Sequence, residues 1–293
     1  MFLTEFRKSL KNPWAEELID LVFYRPLAFL LVKLLFPFPI TPNQISLLAM
    51  MCGIAGGLFF ALGSSRYWVV GGLLYGLSNI LDCCDGMVAR LKKNGTLTGR
   101  IVDGMVDYST SLAVYVGLGI GLSKAVFAGT VILPCNPWIL ILLAAASHAA
   151  HAVFSDKYRN GFLNLKKPEP ISAGTEQEQF VRELDRLKQI KAHVFDRTLI
   201  KTYVWYLNLQ AGKVDSSRLN KKPVRPQRFS AFNAALWNLI GPSTHISFLI
   251  LSAFLFNPML FFIFVIGLAN FWMIILFFLQ IPGKNNDDET ILK

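Results

Sequence analysis

Residues 81–110 read LDCCDGMVARLKKNGTLTGRIVDGMVDYST, and they place four aspartates inside two otherwise apolar segments. The aspartates are Asp82, Asp85, Asp103 and Asp107. An ionised carboxylate at the centre of a hydrocarbon layer costs about 3 kcal/mol on insertion scales. Acidic side chains in such segments therefore face a cavity rather than lipid, and they usually mark a functional site.

The rest of the chain has the composition of a protein that crosses a membrane several times. Of its 293 residues 53% are hydrophobic, 24 are Phe, and the mean hydropathy is +0.44. A span needs about 20 apolar residues to cross about 30 Å of hydrocarbon. Runs of this kind predict spans at 43–64, 67–91, 98–123, 132–154, 231–254 and 257–281. The predicted fold class is an all-α integral membrane protein with six transmembrane helices.

The distribution of Lys and Arg predicts the orientation of these spans. Basic residues cluster around the connection between spans two and three, and the segment 155–229 carries most of the +10 net charge. The connections after spans one and three hold only Arg66 and Lys124, and the one after span five holds no basic residue. The positive-inside rule then puts both termini and the aspartate end of spans two and three in the cytoplasm. The basic clusters also favour contact with anionic membrane lipids.

The segment before the first span is expected to be retained and to lie on the membrane. Residues 1–20 lack the short basic start and apolar core of a cleavable signal. The apolar run that follows is short and is interrupted by Arg25 and Lys33, which favours an amphipathic interfacial helix. A seventh span is the competing interpretation, and it would place the N-terminus outside. In ITPNQIS, Thr41, Pro42 and Gln44 predict a helix start with a capping box.

The chain divides into five predicted parts. Residues 1–42 form a cytoplasmic N-terminus and interfacial helix, 43–154 carry spans one to four with the aspartates, 155–229 form a cytoplasmic helical insertion, 230–282 carry spans five and six, and 283–293 form a disordered tail. Apolar residues at helical spacing predict two helices in the insertion. These helices either cover the mouth of the aspartate site or form a homodimer contact, and a solvated surface insertion is the alternative.

Small residues and cysteines have simpler interpretations. Three pairs of glycines have the small-xxx-small spacing that lets membrane helices pack closely: Gly53/Gly57, Gly72/Gly76 and Gly117/Gly121. The four cysteines show no spacing typical of a zinc site or a disulfide framework, and they are most simply small apolar fillers.

Helical geometry brings the four aspartates onto two faces. At about 100° per residue, Asp82, Asp85 and the small residues Gly86 and Ala89 share one face of span two. Gly99, Asp103 and Asp107 share one face of span three. If the faces meet, four carboxylates converge, and cations must compensate most of their charge. Oxygen ligands of this kind suit Mg²⁺ or Mn²⁺. Two ions about 3.5–4 Å apart would form a clamp for displacement at phosphorus.

The small residues beside the acids indicate the shape of a ligand. Gly86 and Ala89 leave room for a rigid group near the backbone, while Arg90, Lys92, Lys93 and Arg100 supply cations at the cytoplasmic rim. A nucleotide diphosphate bridged by the ions fits this arrangement. A structural alternative, in which the acids pair with Arg90 and Arg100, leaves two carboxylates uncompensated.

These residues carry a resemblance to a known family. The pattern D-x2-D-G-x2-A-R-x8-G-x3-D-x3-D of residues 82–107 resembles the signature of the CDP-alcohol phosphotransferase (CDP-alcohol phosphatidyltransferase) family at every fixed position. The six-span pattern, the interfacial helix and Pro42-Asn43 before the first span are also similar to that family. The resemblance covers about 22–154 and 231–281, while the long connection 155–229 departs from it.

The resemblance implies a reaction and roles for particular residues. A CDP-linked alcohol gives its phospho-alcohol group to an acceptor hydroxyl and releases CMP, without a covalent enzyme intermediate. It implies Asp82, Asp85, Asp103 and Asp107 as ligands of two Mg²⁺ or Mn²⁺ ions, with Asp107 also as general base. The expected nucleotide-binding residues are Gly86, Ala89, Arg90, Thr96, Gly99 and Asn43.

The substrates are less sharply implied. CDP-diacylglycerol with a small polar alcohol is the expected pair, in phospholipid biosynthesis, and CDP-choline or CDP-ethanolamine with a lipid hydroxyl is the alternative. No nucleic-acid partner is expected. Polar residues within the spans predict where the acceptor binds: His245, His148 and Arg100 are the candidates, with His151 one turn from His148. The alternative is that the histidines hydrogen-bond one helix to another, as polar side chains in membrane bundles commonly do.

Two other classes of protein remain open from the sequence. A transporter would place acids at the membrane midplane, but it would be expected to show broken helices and repeated halves. A non-catalytic membrane scaffold would tolerate decay of the motif, and every motif residue is intact here.

Overall fold

The structure is a computed structural model, and it describes residues 2–10, 16–165, 173–189, 194–211 and 231–279. Within these residues the regular elements are all helices, which confirms the predicted all-α class. The helices are α1 (Phe2–Ser9), α2 (Arg25–Leu35), α3 (Pro42–Ala61), α4 (Ser65–Lys92), α5 (Leu97–Phe127), α6 (Pro137–Leu165), α7 (Ala173–Gln189), α8 (Val194–Ala211), α9 (Ala231–Asn238), α10 (Pro242–Phe254), α11 (Pro258–Phe262) and α12 (Ala269–Leu279). Short π-helical segments, Asp20–Tyr24 and Ile263–Leu268, lead into α2 and α12.

Five stretches of helix are long and apolar enough to cross a membrane. They are Pro42–Ala61, Leu97–Phe127, Pro137–Leu163, Ala231–Phe254 and Pro258–Leu279. The protein is therefore a multi-pass membrane protein. The remaining predicted span coincides with α4, which has 28 residues but is not one of these five. Asn79 and the two aspartates within α4 lower its hydropathy, so its membrane crossing stays a prediction.

The predicted start of α3 is confirmed in detail. Thr41 is the N-cap and Pro42 is the first helical residue. The Thr41 Oγ1 accepts a hydrogen bond from the Gln44 amide at 3.4 Å, and the Gln44 side chain accepts one from the Thr41 amide at 2.9 Å. This reciprocal capping satisfies two amide groups that the first turn would otherwise leave free. It fixes where α3 begins relative to the helices beside it.

Glycines let α3 lie against both α4 and α5. A Cβ atom added at Gly56 would lie 3.0 Å from the carbonyl oxygen of Gly71 on α4. A Cβ added at Gly117 of α5 would collide with the carbonyl oxygen of Gly57 on α3. The backbones therefore approach as the small-residue spacing predicts. Because α3 packs along both helices, it holds α4 and α5 at a fixed separation.

The segment before α3 is helical. The helix α2 has 11 residues and continues directly from the π-helical segment Asp20–Tyr24, and these 16 residues together are fewer than the roughly 20 that a span needs. It buries Ala28, Phe29 and Val32 against α4 and leaves Leu30 and Leu34 exposed. A helix with apolar side chains exposed at this position is compatible with the membrane interface, where its location remains a prediction.

The fourth and fifth predicted spans differ from simple helices. The helix α6 continues through the predicted boundary at residue 154 to Leu165. The acceptor candidate His148 and the residues beyond 154 therefore lie on one continuous helix. The fifth span is broken: α9 ends at Asn238, and α10 begins at Pro242 after the N-cap Gly241. Pro242 lacks an amide proton and cannot continue a helix from residues upstream of it, which explains the break.

The predicted insertion contains two helices, α7 and α8. Phe180, Leu187, Ile200 and Val204 pack together and against Ile101 near the start of α5. The pair therefore lies beside the helix that carries Asp103 and Asp107. The predicted tail 283–293 and residues 212–230 lie outside the described residues.

Candidate metal and nucleotide site

Three of the four aspartates converge. One carboxylate oxygen from each of Asp82, Asp85 and Asp103 lies within 4.8 Å of the others. Asp107 is outside that group of three, one turn further along α5, but it interacts electrostatically with Asp82, Asp85 and Asp103. The two predicted helix faces therefore do meet, with Asp107 at the edge of the cluster.

The short connection between α4 and α5 brings the two halves of the motif to one end of the bundle. Lys93 adopts a left-handed conformation with φ of 53° and ends α4. Thr96 then caps α5, accepting a hydrogen bond from the Gly99 amide at 2.9 Å. With three residues between Lys92 and Thr96, the chain reverses direction at once. The last turns of α4 consequently lie opposite the first turns of α5.

The donor set fits a hard divalent cation. All three converging groups offer carboxylate oxygens, which are the ligands that Mg²⁺ and Mn²⁺ prefer. Asp82 Oδ1 is buried without a hydrogen-bond partner among the described residues. An unsatisfied buried carboxylate oxygen within a cluster of acids fits a ligand of such a cation.

The predicted nucleotide-binding residues form two groups around the cluster. A Cβ added at Gly99 would lie 3.2 Å from both Asn43 Oδ1 and Thr96 Oγ1, so these three residues come together. Gly86 faces the Arg90 guanidinium, whose two terminal nitrogens lie 3.5 Å from where a Cβ would be. Ala89 lies near Gly95 of the connection. The structure thus brings each of these residues to the aspartate end of α4 and α5.

Arg90 has an unexpected partner and an unused donor. Its Nε donates a hydrogen bond to the carbonyl oxygen of Ser9, at the end of α1. Its Nη2 is buried without a hydrogen-bond partner in the part of the chain that the structure describes. One edge of the guanidinium is therefore fixed by α1, and the other is available to an anionic ligand.

The acceptor candidates are separated into two places. His148 and His245 stack with ring centroids 4.5 Å apart, and His151 Nδ1 lies 3.2 Å from His245 Nε2. Tyr115 and Asn270 complete this buried network through His148 and His151. Arg100 lies elsewhere, at the start of α5, with its guanidinium carbon 5.9 Å from the centre of the Phe180 ring. The predicted acceptor role of these residues stays a prediction.

Several polar residues around the site were missed by the sequence analysis. Ser46 of α3 donates a hydrogen bond to Asp85. On α6, Asp156 interacts electrostatically with Asp107 and pairs with Arg159. Asp156 and Arg159 were missed because the apolar run ends at residue 154, where the span was predicted to end. The helix α6 continues past that point to Leu165. No local sequence signal pointed to Ser46.

A second polar junction joins the N-terminal segment to the broken fifth span. Glu17 accepts hydrogen bonds from the Ser243 amide at 3.4 Å and the Thr244 amide at 3.1 Å, at the start of α10. Burial raises the pKa of Glu17 to about 8, and the neighbouring Asp20 adds to the shift. Gly241 is required here, because a Cβ at that position would collide with the Glu17 carboxylate.

The fold and the acidic cluster define the class of the protein: a multi-pass membrane protein with a cation-type site at one end of its helices. Residues 39–168, a little under half of the chain, match the family model described as CDP-alcohol phosphatidyltransferase. The match contains the whole aspartate motif and α3 to α6. It confirms the family that the signature predicts.

Curated relatives match short stretches of this chain. It is 32% identical over 83 residues to the "Bifunctional IPC transferase and DIPP synthase" of Rubrobacter xylanophilus, covering 28% of this chain and 18% of the relative. It is 38% identical over 73 residues to the protein of the same name from Archaeoglobus fulgidus, covering 24% and 14%. It is 32% identical over 94 residues to the "Phosphatidylinositol phosphate synthase" of Corynebacterium glutamicum, covering 32% and 40%. The matches span 14–40% of the length of these relatives.

Proposed function

We propose that this protein transfers a phospho-alcohol group from a CDP-linked donor to the hydroxyl of an acceptor at the membrane surface, releasing CMP. One observation carries the proposal: Asp82, Asp85 and Asp103 converge beside residues of a CDP-alcohol phosphatidyltransferase signature. The cluster is surrounded by small residues and a partly unsatisfied arginine, which suits a diphosphate. The enzymes that match this chain support membrane lipid synthesis as its setting.

The cofactor we propose is Mg²⁺, with Mn²⁺ as a substitute, bound as two ions by Asp82, Asp85, Asp103 and Asp107. When bound, divalent cations neutralise the charge that builds up on phosphate oxygens during displacement. Four carboxylates supply enough negative charge for two such ions. Asp107, at the edge of the cluster, would bind more weakly than the other three.

The protein's own residues would divide the remaining work. The Asp107 side chain is exposed and one turn from Asp103, so it can reach an acceptor hydroxyl and take its proton. The acceptor oxygen then bonds to the phosphorus that carries the donor alcohol. The bond from that phosphorus to the CMP oxygen breaks, and CMP leaves with the electron pair. Arg90 Nη2 would donate to a phosphate oxygen of the donor.

The nucleotide would lie against the two groups of small and polar residues. Gly86 and Ala89 on α4 let it approach the backbone, and Asn43, Thr96 and Gly99 form the opposite wall. The absence of a side chain at Gly86 and Gly99 is important, because a side chain there would fill the space beside Arg90 or Asn43. Binding energy from these contacts would hold the diphosphate in line with the acceptor.

CDP-diacylglycerol is the donor we propose, and a small polar alcohol is the acceptor. The name of the Corynebacterium glutamicum relative gives phosphatidylinositol phosphate as its product, which supports a phosphatidyl group as the one transferred. His245, His148 and Arg100 remain the proposed acceptor contacts. The reverse assignment, CDP-choline or CDP-ethanolamine with a lipid hydroxyl, uses the same aspartates.

The membrane arrangement we propose has six spans, with α4 as the second and with α2 on the cytoplasmic interface. The 28 residues of α4 would extend about 42 Å, more than the hydrocarbon thickness. Its packing beside α3, a candidate span, supports this arrangement. Both termini and the aspartate cluster would face the cytoplasm, and two copies would form a homodimer.

The test is CMP release by the purified protein in lipid micelles with Mg²⁺. One series offers CDP-diacylglycerol with soluble alcohols, including inositol phosphate, glycerol phosphate and serine; a second offers CDP-choline or CDP-ethanolamine with diacylglycerol. We expect release in the first series, lost with EDTA and reduced at least about 100-fold in Asp107→Asn.

Release only in the second series would reverse donor and acceptor. No release in either series, from protein shown to be folded, would contradict the proposed activity and favour a non-catalytic scaffold. The matched control is Asp156→Asn. Asp156 lies on α6 with a half-exposed side chain, and its carboxylate interacts electrostatically with Asp107, so the variant makes the same change of charge nearby.

A further inference from the structure

Ser46 is a polar side chain of α3 that contacts the aspartate cluster. Its Oγ donates a hydrogen bond to Asp85 Oδ2, and both residues are buried, with 4% and 6% of their surfaces exposed. The two residues are 39 positions apart in the sequence and lie on different helices. Ser46 is outside the aspartate signature, which begins at Asp82. Its hydroxyl is therefore a link between the cluster and a helix that carries none of the aspartates.

The start of α3 explains why the hydroxyl reaches this point. The Thr41 capping box fixes the first turn, and Ser46 follows one turn later. Its Oγ also lies 3.1 Å from the carbonyl oxygen of Pro42. A hydroxyl has one proton, and a carboxylate accepts more strongly than a carbonyl, so the proton is committed to Asp85. A longer side chain would not fit, because α3 and α4 pack closely here.

A serine suits a carboxylate that must also bind a cation. The hydrogen bond uses one acceptor position of Asp85 and fixes the rotation of its carboxylate, while lone pairs remain for a metal ion. The donor is neutral, so it stabilises the ionised carboxylate without repelling a cation. An arginine or lysine in the same place would compete with the metal for the charge. Partners of this kind orient metal ligands and commonly change metal affinity by about 10- to 100-fold.

We propose that Ser46 is a positioning residue that holds Asp85 in the orientation required to bind a divalent cation. The inference rests on the proposed function, since it assumes that the cluster binds metal. It goes beyond that function by assigning a role to α3, which contributes none of the four aspartates. It also links the capped start of α3 to the end of α4.

The chain offers a matched control at the same helix interface. Ser78 of α4 is also buried, with 4% of its surface exposed, and its Oγ donates to the carbonyl oxygen of Ala49 on α3 at 2.7 Å. Ser78 thus makes an interhelical hydrogen bond of the same kind, but to backbone and not to an aspartate. Ser46→Ala and Ser78→Ala each remove one buried hydroxyl between α3 and α4. They differ in whether a candidate metal ligand loses its partner.

The experiment is Mn²⁺ binding to the purified full-length chain in micelles, followed by the electron paramagnetic resonance signal of free Mn²⁺. We expect the wild type to bind Mn²⁺ and Asp85→Asn to lose that binding. Ser46→Ala should weaken the dissociation constant about 10- to 100-fold, whereas Ser78→Ala should match the wild type. In CMP release, the Mg²⁺ concentration for half-maximal rate should rise by a similar factor in Ser46→Ala, with turnover recovering at high Mg²⁺.

The outcomes separate this inference from the proposed function. If the wild type binds no Mn²⁺, the metal site itself is wrong and the inference fails with it. If the wild type binds Mn²⁺ and Ser46→Ala binds it equally well, the metal site stands and the role of Ser46 is refuted. Equal weakening in Ser46→Ala and Ser78→Ala would also refute it, because the effect would then come from helix packing.

A second variant guards against a folding defect in Ser46→Ala. Ser46→Cys preserves the shape of the side chain and replaces the hydroxyl by a thiol, which is a weak hydrogen-bond donor. We expect it to fold and to bind Mn²⁺ less tightly than the wild type. Wild-type affinity in Ser46→Cys would count against a role for the hydroxyl proton.

Discussion

At the scale of single residues, the site depends on groups whose hydrogen bonds are incomplete. Asp82 Oδ1 and Arg90 Nη2 are both buried and lack a partner among the described residues. Leaving a buried polar atom unpaired costs about 1–3 kcal/mol, and such atoms are few in folded proteins. Their position at the aspartate end of α4 supports the proposed metal and nucleotide site.

The unused donor of Arg90 gives a prediction for Arg90→Lys. Lysine keeps the charge but loses the planar group that bonds the Ser9 carbonyl with one edge and, in the proposed function, a phosphate with the other. We expect the KM for the CDP-linked donor to rise about tenfold or more, with a smaller effect on kcat. The control is Arg66→Lys, the same change at an exposed arginine at the start of α4. Equal KM values for Arg90→Lys and wild type would show that Arg90 does not bind the donor.

Glu17 gives a prediction about pH and stability. Its pKa in the folded protein is about 8, raised mainly by burial and then by Asp20, against an ordinary value of 4.5. Between these values the folded state keeps a proton that the unfolded state has lost, so stability must fall as pH rises from 4.5 to 8. Glu17→Gln cannot titrate, and its melting temperature should fall less over this interval than that of the wild type.

Two charged neighbours of Glu17, Asp20 and Arg159, affect this measurement, and Glu5 provides the control. Burial also raises the pKa of Asp20, so part of the slope should remain in Glu17→Gln, while Arg159 acts in the opposite direction on both acids. Glu5→Gln is the comparison: the pKa of Glu5 is lowered by its hydrogen bond to Lys33, so this residue is ionised throughout the interval. If the melting temperature of Glu17→Gln fell with pH as steeply as that of the wild type, the raised pKa assigned to Glu17 would be contradicted.

At the scale of helices, the arrangement depends on α3 lying between α4 and α5. Gly57 and Gly117 permit this contact, since a Cβ at residue 117 would collide with the Gly57 carbonyl oxygen. We expect Gly117→Ala to destabilise the protein by about 1–3 kcal/mol through overpacking, lowering the melting temperature by several degrees. Melting of the purified protein in detergent measures the effect.

Gly267→Ala is the matched control for this helix contact. A Cβ at residue 267 would meet nothing within 4 Å, so the same chemical change adds no clash there. It should leave the melting temperature unchanged or slightly raise it, because Ala restricts the unfolded chain more than Gly does. If Gly117→Ala and Gly267→Ala have the same melting temperature, the close approach of α3 and α5 is not important for stability.

Much of the element structure was predictable because its signals are local. The capping box at Thr41, the short α4–α5 connection and the glycine spacings Gly53/Gly57 and Gly117/Gly121 each depend on residues close together in the chain. The end of α6 was not predictable from hydropathy, since the helix continues beyond its apolar part to Leu165. The break at Gly241-Pro242 was visible in the sequence as polar residues within the span.

At the scale of the whole molecule, the contacts that complete the site join distant parts of the chain. Arg90 is bonded to Ser9, Asp85 to Ser46, and the start of α10 to Glu17. Such contacts follow from the way helices pack, and no pattern within a short window of sequence indicates them. The candidate aspartates were predictable because one short motif carries all four, whereas the residues that hold them in place were not.

The proposed topology gives a prediction that concerns the whole chain. Cys135 is a free, exposed cysteine in the connection between α5 and α6, which the positive-inside rule places outside the cytoplasm. A membrane-impermeant thiol reagent added to intact cells should therefore label Cys135, since Cys83 and Cys84 are buried and Cys52 lies within the candidate span Pro42–Ala61. Cys135→Ser should remove the label.

The predicted cytoplasmic side of the membrane is tested by Asn94→Cys in the Cys135→Ser background. Asn94 is exposed in the α4–α5 connection, at the aspartate end of both helices. A single crossing of the membrane by α5 puts the two positions on opposite sides, so Asn94→Cys should react only after the cells are opened. Labelling of Asn94→Cys in intact cells would place the aspartate cluster outside, away from cytoplasmic CDP-linked substrates. Labelling of both positions from the same side would mean that α5 does not cross the membrane, because its two ends would then face one compartment.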